Sequence, residues 1–412
     1  MTAALDTRPT SSATPTWTIG SARLLAGLDR HQSLDARTHL AIHGALPGTD
    51  LPKLLGLLEG AGLTGRGGAG FPLAAKLRAL RGSRPRVVVN GSESEPASLK
   101  DRTLLRRTPH LVLDGALAVA SALGARRVTV AVHDPAAAAA LRAAAAARPD
   151  GRRVHVEITG GGFVGGEARA LIRGLDGGPA LPPGRHEHLT SQGVLVANAE
   201  TFAQTAVLLR LGSRRFADTG TRAEPGTTLL TIGGAAERPG VVEVPLGTPL
   251  GIVLLAARAD DPRFVITGGY HGTWLAPQAD VPVSRAGLAA VGATLGAGVV
   301  LVIDDATCGL GELTRVSRWL ASQSAGQCGP CRFGLPALAN DVAALQGGYP
   351  GGVHDAARHA RAVDGRGACS HPDGTARFIS SGLALLRDEV ALHRRGGCRR
   401  PVLGQLPIGD PS

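Results

Sequence analysis

A chain of 412 residues is too long for one ordinary hydrophobic core and calls for two to four domains. Its 43% hydrophobic and 19% charged residues are those of a globular protein and exclude an intrinsically disordered one. The net charge of +11 comes from scattered arginines, with lysine only at Lys53, Lys76 and Lys100; no dense basic run interleaved with aromatics points to a nucleic-acid partner.

Residues 1–20 are expected to be a disordered leader, because Met1 to Trp17 is polar, rich in Thr and Ser, and lacks the apolar segment of a secretion signal. The first chemical feature is GLTGRGGAGFPLAAKL, Gly62 to Leu77. Gly65, Gly67, Gly68 and Gly70 free the backbone to turn N–H groups toward an anion, and the helix expected after Pro72 adds its positive end. Lys76, about one turn into that helix, is placed to reach a phosphate. No G-K-[ST] triplet closes the loop, so it is not a Walker A motif. A flexible linker is the plainer reading, but Arg66, Phe71 and a helix start inside the run speak against it.

Arg86 to Asn90 (RVVVN) reads as a buried parallel strand. It runs into NGSESEPASLKDR, where Glu93 and Glu95 flank a serine at the strand's carboxyl end. A solvated acidic turn would look the same. Lys100, in a chain that otherwise uses Arg, hints that a compact ammonium matters there. Helical periodicity follows over His110 to Ala125, then a strand over Val128 to Val132. Asp134-Pro135 opens an Ala-rich helix, with Asp as cap and Pro in the first turn. A third strand, Val154 to Ile158, leads into TGGGFVGGEARAL, Thr159 to Leu171, and VLVANAETFA, Val194 to Ala203, re-enters the domain with Asn198, Glu200 and Thr201 as polar groups able to contact a heterocycle or ribityl chain. This repetition of strand, loop and helix predicts a Rossmann-like α/β domain with its ligand site at the carboxyl ends of the strands.

From Thr227 the texture changes to short strands bounded by glycines (TTLLTIGG, VVEVPLG, FVITGG), a small β-rich domain expected to end near Asp280. Ala286 to Ile303 is uncharged, but Gly287, Gly292, Gly296 and Gly298 interrupt it, so a buried helix–turn–strand is expected and no membrane span. From Thr307 the pattern is helical. Five cysteines are too sparse for a disulfide scaffold and indicate a reducing cytoplasm. SAGQCGPCR, Ser324 to Arg332, holds the pair Cys328 and Cys331, open to three readings: a redox dithiol, half a zinc site completed by Cys369 and His371, or an iron–sulfur loop. The dithiol reading lacks its usual preceding strand, since Leu313 to Leu320 reads as helix.

The ordered set GRGGAGFP…K, N-x-x-E-S-E-P…KDR, GG-x-F-x-x-GE-x-x-AL, N-x-ET and Q-C-x-P-C-R resembles the flavoprotein subunit of respiratory complex I and its diaphorase-type relatives, from about Leu51 to Leu386. The resemblance implies an FMN and NAD(P)H domain over 21–222, a ubiquitin-like β-grasp (SLBB) domain over 223–282, a helical iron–sulfur domain over 283–395 and a tail over 396–412. It implies that Gly65, Arg66, Gly67, Gly68, Ala69, Phe71 and Lys76 line the FMN and nicotinamide nucleotide. Asn90, Ser92, Glu93, Glu95, Phe163, Gly166, Glu167, Asn198 and Thr201 would border the flavin, with Glu93 and Glu95 beside the reacting ring. Phe163 stands where the family usually has Tyr, Ser92 where it has Asp, and Ala197 where it has Asn. Cys328, Cys331 and Cys369 match three of four cluster ligands, and Ala325 occupies the first position. A [3Fe-4S] cluster needs three thiolates, whereas a [4Fe-4S] cluster needs a substitute such as Ser324, His371, Cys308 or Cys398. Cys308 is expected to be a buried thiol and Cys398 incidental. Ala168-Arg169 in place of the relatives' Glu-Thr implies tolerance of a 2′-phosphate, hence NADPH.

The implied activity is that of an NADH dehydrogenase-like electron-input subunit: hydride from NAD(P)H to FMN, then single electrons through the cluster. The acceptor would be a ferredoxin, a thioredoxin-like [2Fe-2S] subunit or a membrane redox protein, from the cytoplasm or the inner face of the membrane. A redox-silent docking module keeping the same fold is the alternative.

Overall fold

The computed structural model describes residues 14–160, 162–185 and 188–409. Residues 1–13 of the expected leader, Gly161 of the third glycine loop and the last three residues of the tail lie outside the described residues. The strands in chain order are β1 (Thr16–Thr18), β2 (Arg86–Gly91), β3 (Val128–Val132), β4 (Val154–Ile158), β5 (Val194–Asn198), β6 (Thr227–Gly234), β7 (Gly240–Pro245), β8 (Phe264–Thr267), β9 (Thr273–Leu275) and β10 (Val299–Ile303).

The first sheet has the order β4-β3-β2-β5, all parallel. Its strands are valine-rich because both faces are covered. The helices Pro109–Ala122 and Ala199–Ala217 pack on one side with Val87, Val89, Val128 and Val130, while Leu171 and Ile172 of Ala168–Leu175 meet Val88, Val194 and Val196 on the other. The Asp134 cap works as read, its Oδ2 accepting from Ala137 N at 2.9 Å, and Asn198, which carried no such expectation, accepts from Thr201 N at 3.2 Å through Oδ1 to start the next helix. Successive strands step outward from β2 to β4, and β5 returns to the opposite side of β2. The switch point of this open sheet therefore lies between Gly91 and Asn198, where such sheets bind ligands.

The second sheet has the order β1-β7-β6-β10-β8-β9, with the helix Leu250–Ala256 across it. β10 runs parallel to β6 and antiparallel to β8, the central place in a β-grasp sheet. Two expected boundaries move as a result. The unit does not end at 282, since its central strand is Val299–Ile303. The leader does not extend to residue 20, since β1 pairs in parallel with β7 and Trp17 packs into the core beside Leu230 and Val242.

Alternate residues of β10 serve two cores, as a strand's period of two dictates. Val300 and Val302 face the Leu250–Ala256 helix, whereas Val299, Leu301 and Ile303 face the helical bundle. That bundle comprises Gly309–Ser322, Leu335–Gln346, Gly352–Val363, His371–Leu385 and Arg387–Arg394. The described part of the tail is strapped to it: Cys308 N donates to Pro401 O at 2.7 Å, and Gly404 N donates to the buried Glu312 at 2.6 Å. No helix among the described residues is long and apolar enough to cross a membrane.

Candidate functional site

A cleft opens at the switch point of the first sheet. Its inner part is a cavity of about 200 Å³ lined by Gly67, Gly68, Asn90, Glu93, Glu95 and Asn198, among others. Its outer part is a cavity of about 450 Å³ that shares Gly68, Glu95 and Gly166 with the first and adds Ala69, Phe163, Glu167, His271, Cys369, His371 and Arg377. All three units contribute walls. Together the two parts have the size of a cofactor site.

The glycine loop is folded by its own backbone and held from outside. Gly65 N donates to Phe71 O at 2.9 Å, and Gly70 N donates to Gly67 O at 3.2 Å. Arg285 donates to the carbonyls of Gly65, Gly67 and Gly68 at 2.9–3.1 Å, so those oxygens point away from the cleft. Gly70 has φ 58°, a torsion that favours glycine, and an added Cβ would lie 2.3 Å from the Arg285 guanidinium and displace it. Gly67 and Gly68 face open space.

The carboxylates divide their work. Glu93, at φ 43°, accepts from Ser98 Oγ at 2.7 Å and from Asp101 N and Arg102 N at 2.8 Å, satisfying the first N–H groups of the helix Lys100–Arg107. Burial first and then Asp101 push its pKa upward. Glu95 accepts from Tyr270 N at 2.8 Å, and burial lifts its pKa from 4.5 to about 7 despite that bond. Lys100 is buried between Asp101 (3.1 Å) and Glu200 (2.9 Å); burial opposes its charge, but the two carboxylates outweigh that and raise it above the usual lysine range. Asn90 Nδ2 reaches Gly166 O at 2.9 Å, tying the first strand's end to the third glycine loop. Ser92 is buried, and its hydroxyl has no partner.

Some residues expected at the site turn away from it. Arg66 is buried under the loop: its N–H donates to Thr201 Oγ1 at 2.9 Å, and its guanidinium reaches Pro225 O and lies 4.0 Å from Glu200. Lys76 Nζ donates to Val196 O at 3.1 Å, and Phe71 is half exposed outside the cleft. Gly65, Ser92 and Thr201 support the walls without lining them. Glu167 lines the cleft, caps the helix Ala168–Leu175 and holds Arg169 Nε at 2.8 Å. Arg285, His271 and Arg377 were invisible to sequence reasoning because nothing local marks them; only the chain's return brings them here.

The outer cleft ends at the thiols. Phe163 makes edge contacts with His271, Trp319 and His371 at ring separations of 4.7, 5.3 and 5.6 Å, and His371 lies two residues from Cys369. Cys328 and Cys331 begin a helical turn that leads into Leu335–Gln346. Burial pushes the Cys331 thiol up to about 12, with Cys328 and Cys369 adding to it, so the three sulfurs are neighbours. The N–H of Ala325 is directed at the Cys331 sulfur. Cys308 and Cys398 are not part of this group. Cys308 caps the start of Gly309–Ser322, a helix about 21 Å long, and the dithiol lies past its other end. Both are thereby removed as substitute cluster ligands, and Cys398 is not incidental, since its sulfur sits 3.9 Å from that of Cys308.

Two family models match the chain: one described as the Nuo51 FMN-binding domain, over residues 58–207, and one as the NADH-ubiquinone oxidoreductase-F iron-sulfur binding region, over residues 311–393. The chain is 30% identical over 379 residues to the F-type subunit of NADH-quinone oxidoreductase in Streptomyces coelicolor, covering 84% of each chain. It is 27% identical over 407 residues to the Escherichia coli protein of the same name, covering 91% of each. A solved chain of an NAD+-reducing [NiFe]-hydrogenase superposes with a TM-score of 0.81 at 26% identity, over 97% of this chain and 69% of the other.

Proposed function

The chain belongs to the family of F-type NADH-quinone oxidoreductase subunits, and from that membership we propose that it takes hydride from NAD(P)H and delivers single electrons to a redox partner. The observation that carries the reading is the continuous cleft, which brings the glycine loop, Glu95, Phe163 and Cys369 to one space. The chemistry FMN supplies when bound is acceptance of hydride and release of electrons one at a time. The residues fit it: the Gly67 and Gly68 backbone is open, the orphaned Ser92 hydroxyl lies at the strand end, and Asn90, Glu93 and Asn198 line the inner cavity. In this reading Glu95 and Glu93 border the reacting ring, and Phe163 packs the wall between the cleft and Trp319.

Cys328, Cys331 and Cys369 are the thiols that hold an iron–sulfur cluster. With Ala325 in the first position the set suits three-thiolate ligation, and Ser324, whose hydroxyl donates to Cys331 O at 3.5 Å, is the oxygen donor among the substitutes. The partner is a ferredoxin, a thioredoxin-like [2Fe-2S] subunit or a membrane redox protein. Anaerobically purified, reconstituted protein is expected to show flavin bands that NADH or NADPH bleaches, over broad iron–sulfur absorption. A colourless protein after reconstitution would instead identify a redox-silent docking module.

A further inference from the structure

At the far end of the helix Gly309–Ser322 from the proposed cluster, four side chains converge. The sulfurs of Cys308 and Cys398 are 3.9 Å apart, and His393 Nε2 lies 3.2 Å from the Cys308 sulfur. Glu389 completes the set, and one ligand atom from each of the four lies within 4.8 Å of all the others. A tetrahedral zinc ion with Zn–S of ~2.3 Å and Zn–N of ~2.0 Å needs sulfurs about 3.8 Å apart and nitrogen about 3.5 Å from sulfur. The observed spacings sit close to both.

Three further features point to an ion. His393 Nδ1 is bonded to Gln346 O at 2.7 Å, which places the proton on that nitrogen and leaves the Nε2 lone pair facing the sulfurs, the usual support of a metal-bound imidazole. The Glu389 side chain is fully buried, and neither of its carboxylate oxygens has a hydrogen bond. Arg263 lies 3.2 Å from it and also pairs with the exposed Asp305 at 3.4 Å. With two thiolates, one carboxylate, one guanidinium and a divalent cation, the charges of this set sum to zero. Thiolate and imidazole donors select zinc over calcium or magnesium, and four protein ligands leave no open position, so the site is structural.

We propose that Cys308, Glu389, His393 and Cys398 form a closed, four-coordinate zinc site that fastens the last helix and the tail to the head of the bundle. The ligands come from the cap of one helix, from Arg387–Arg394 and from the segment beyond it, the same segment that Thr307 and Glu312 strap down. This site is independent of flavin and of the three thiols near the cleft.

Elemental analysis of the full chain tests it, with variants separating the two cysteine groups. The Cys328→Ser/Cys331→Ser protein is expected to retain one equivalent of zinc per chain, and Cys398→Ser is expected to lose it. Cobalt titrated into chelator-treated, reduced Cys328→Ser/Cys331→Ser protein should give the visible bands of tetrahedral thiolate ligation at one equivalent, a readout that stands even if Cys398→Ser fails to fold. Zinc retained by Cys398→Ser, no zinc and no cobalt bands in the double variant, or a Cys308–Cys398 disulfide in reduced preparations would each overturn the proposal.

Discussion

Glu95 is the cleft's most telling single residue, because burial leaves its pKa near neutrality while its only strong partner is the Tyr270 N–H. Its native pKa, about 7, lies above the ordinary 4.5, so between those values the folded state binds more protons than the unfolded one. Stability therefore falls as pH rises through that window and the full penalty is present above it. At 1.36 kcal/mol per pKa unit the loss is about 3 kcal/mol. Urea midpoints of the full chain across this range should decline, and Glu95→Gln should decline less. Glu93, also shifted upward by burial, is common to both proteins, so the difference curve reports Glu95 together with its repulsion by Glu93. Nucleotide choice is likewise expected to turn on single residues. Arg169 is held by Glu167, and Ala168 leaves the place of a second carboxylate empty. Ala168→Glu is expected to lower kcat/KM for NADPH by about tenfold relative to NADH, a change of ~1.4 kcal/mol. A strong preference for NADH in the parent protein, unmoved by the substitution, would refute this.

At the scale of elements, helices meet where their surfaces allow it. Pro109–Ala122 crosses Ala199–Ala217 at Gly115, where a Cβ would fall 1.8 Å from Phe202 O, a backbone atom that cannot step aside. Next to that crossing the buried Asp114 joins three helices and the turn that follows Pro135–Ala146: it bonds His39 at 2.8 Å, Arg148 at 2.6 Å and Arg210 at 2.6 Å. Burial works against its charge, but His39, Arg210 and Arg148 outweigh it and hold its pKa well below 3.8. A depressed carboxylate contributes stability above the unfolded pKa and loses it as pH falls below. Asp114→Asn should cost about 3–5 kcal/mol at neutral pH, because it leaves buried cations uncompensated. The gap to the parent should close in acid, as denaturant titrations at several pH values would report. The sequence was legible for strands and for the Asp134 cap, where valine runs and a capping side chain act through near neighbours. It was silent on the Asp114 network, whose members are spread from residue 39 to 210. Likewise Val299–Ile303 was readable as a strand but not as the centre of the second sheet, since strand order depends on contacts far apart in the chain.

For the whole molecule, the cleft exists only because three units close around it. The glycine loop belongs to the first, but Arg285, which lies between β9 and β10, holds three of its carbonyls. Each bond keeps an oxygen turned out of the cleft and so keeps N–H groups available inside it. The residue is itself anchored through its backbone, as Arg285 N donates to Glu224 Oε2 at 3.0 Å. Losing the side chain frees the loop to sample other conformations before it binds anything, and the ordering cost then appears in affinity. Arg285→Ala is therefore expected to weaken FMN binding about tenfold, or ~1.4 kcal/mol. Its far-ultraviolet circular dichroism should remain that of the parent, because Arg285 is a half-buried contact at the rim and no core residue moves. Arg285→Lys should recover only part of the loss, since an ammonium lacks the fork that spans Gly65, Gly67 and Gly68. Fluorescence quenching on FMN titration measures all three proteins. Equal affinities would mean that the loop is ordered by its own two backbone bonds, and that the second unit merely walls the cleft.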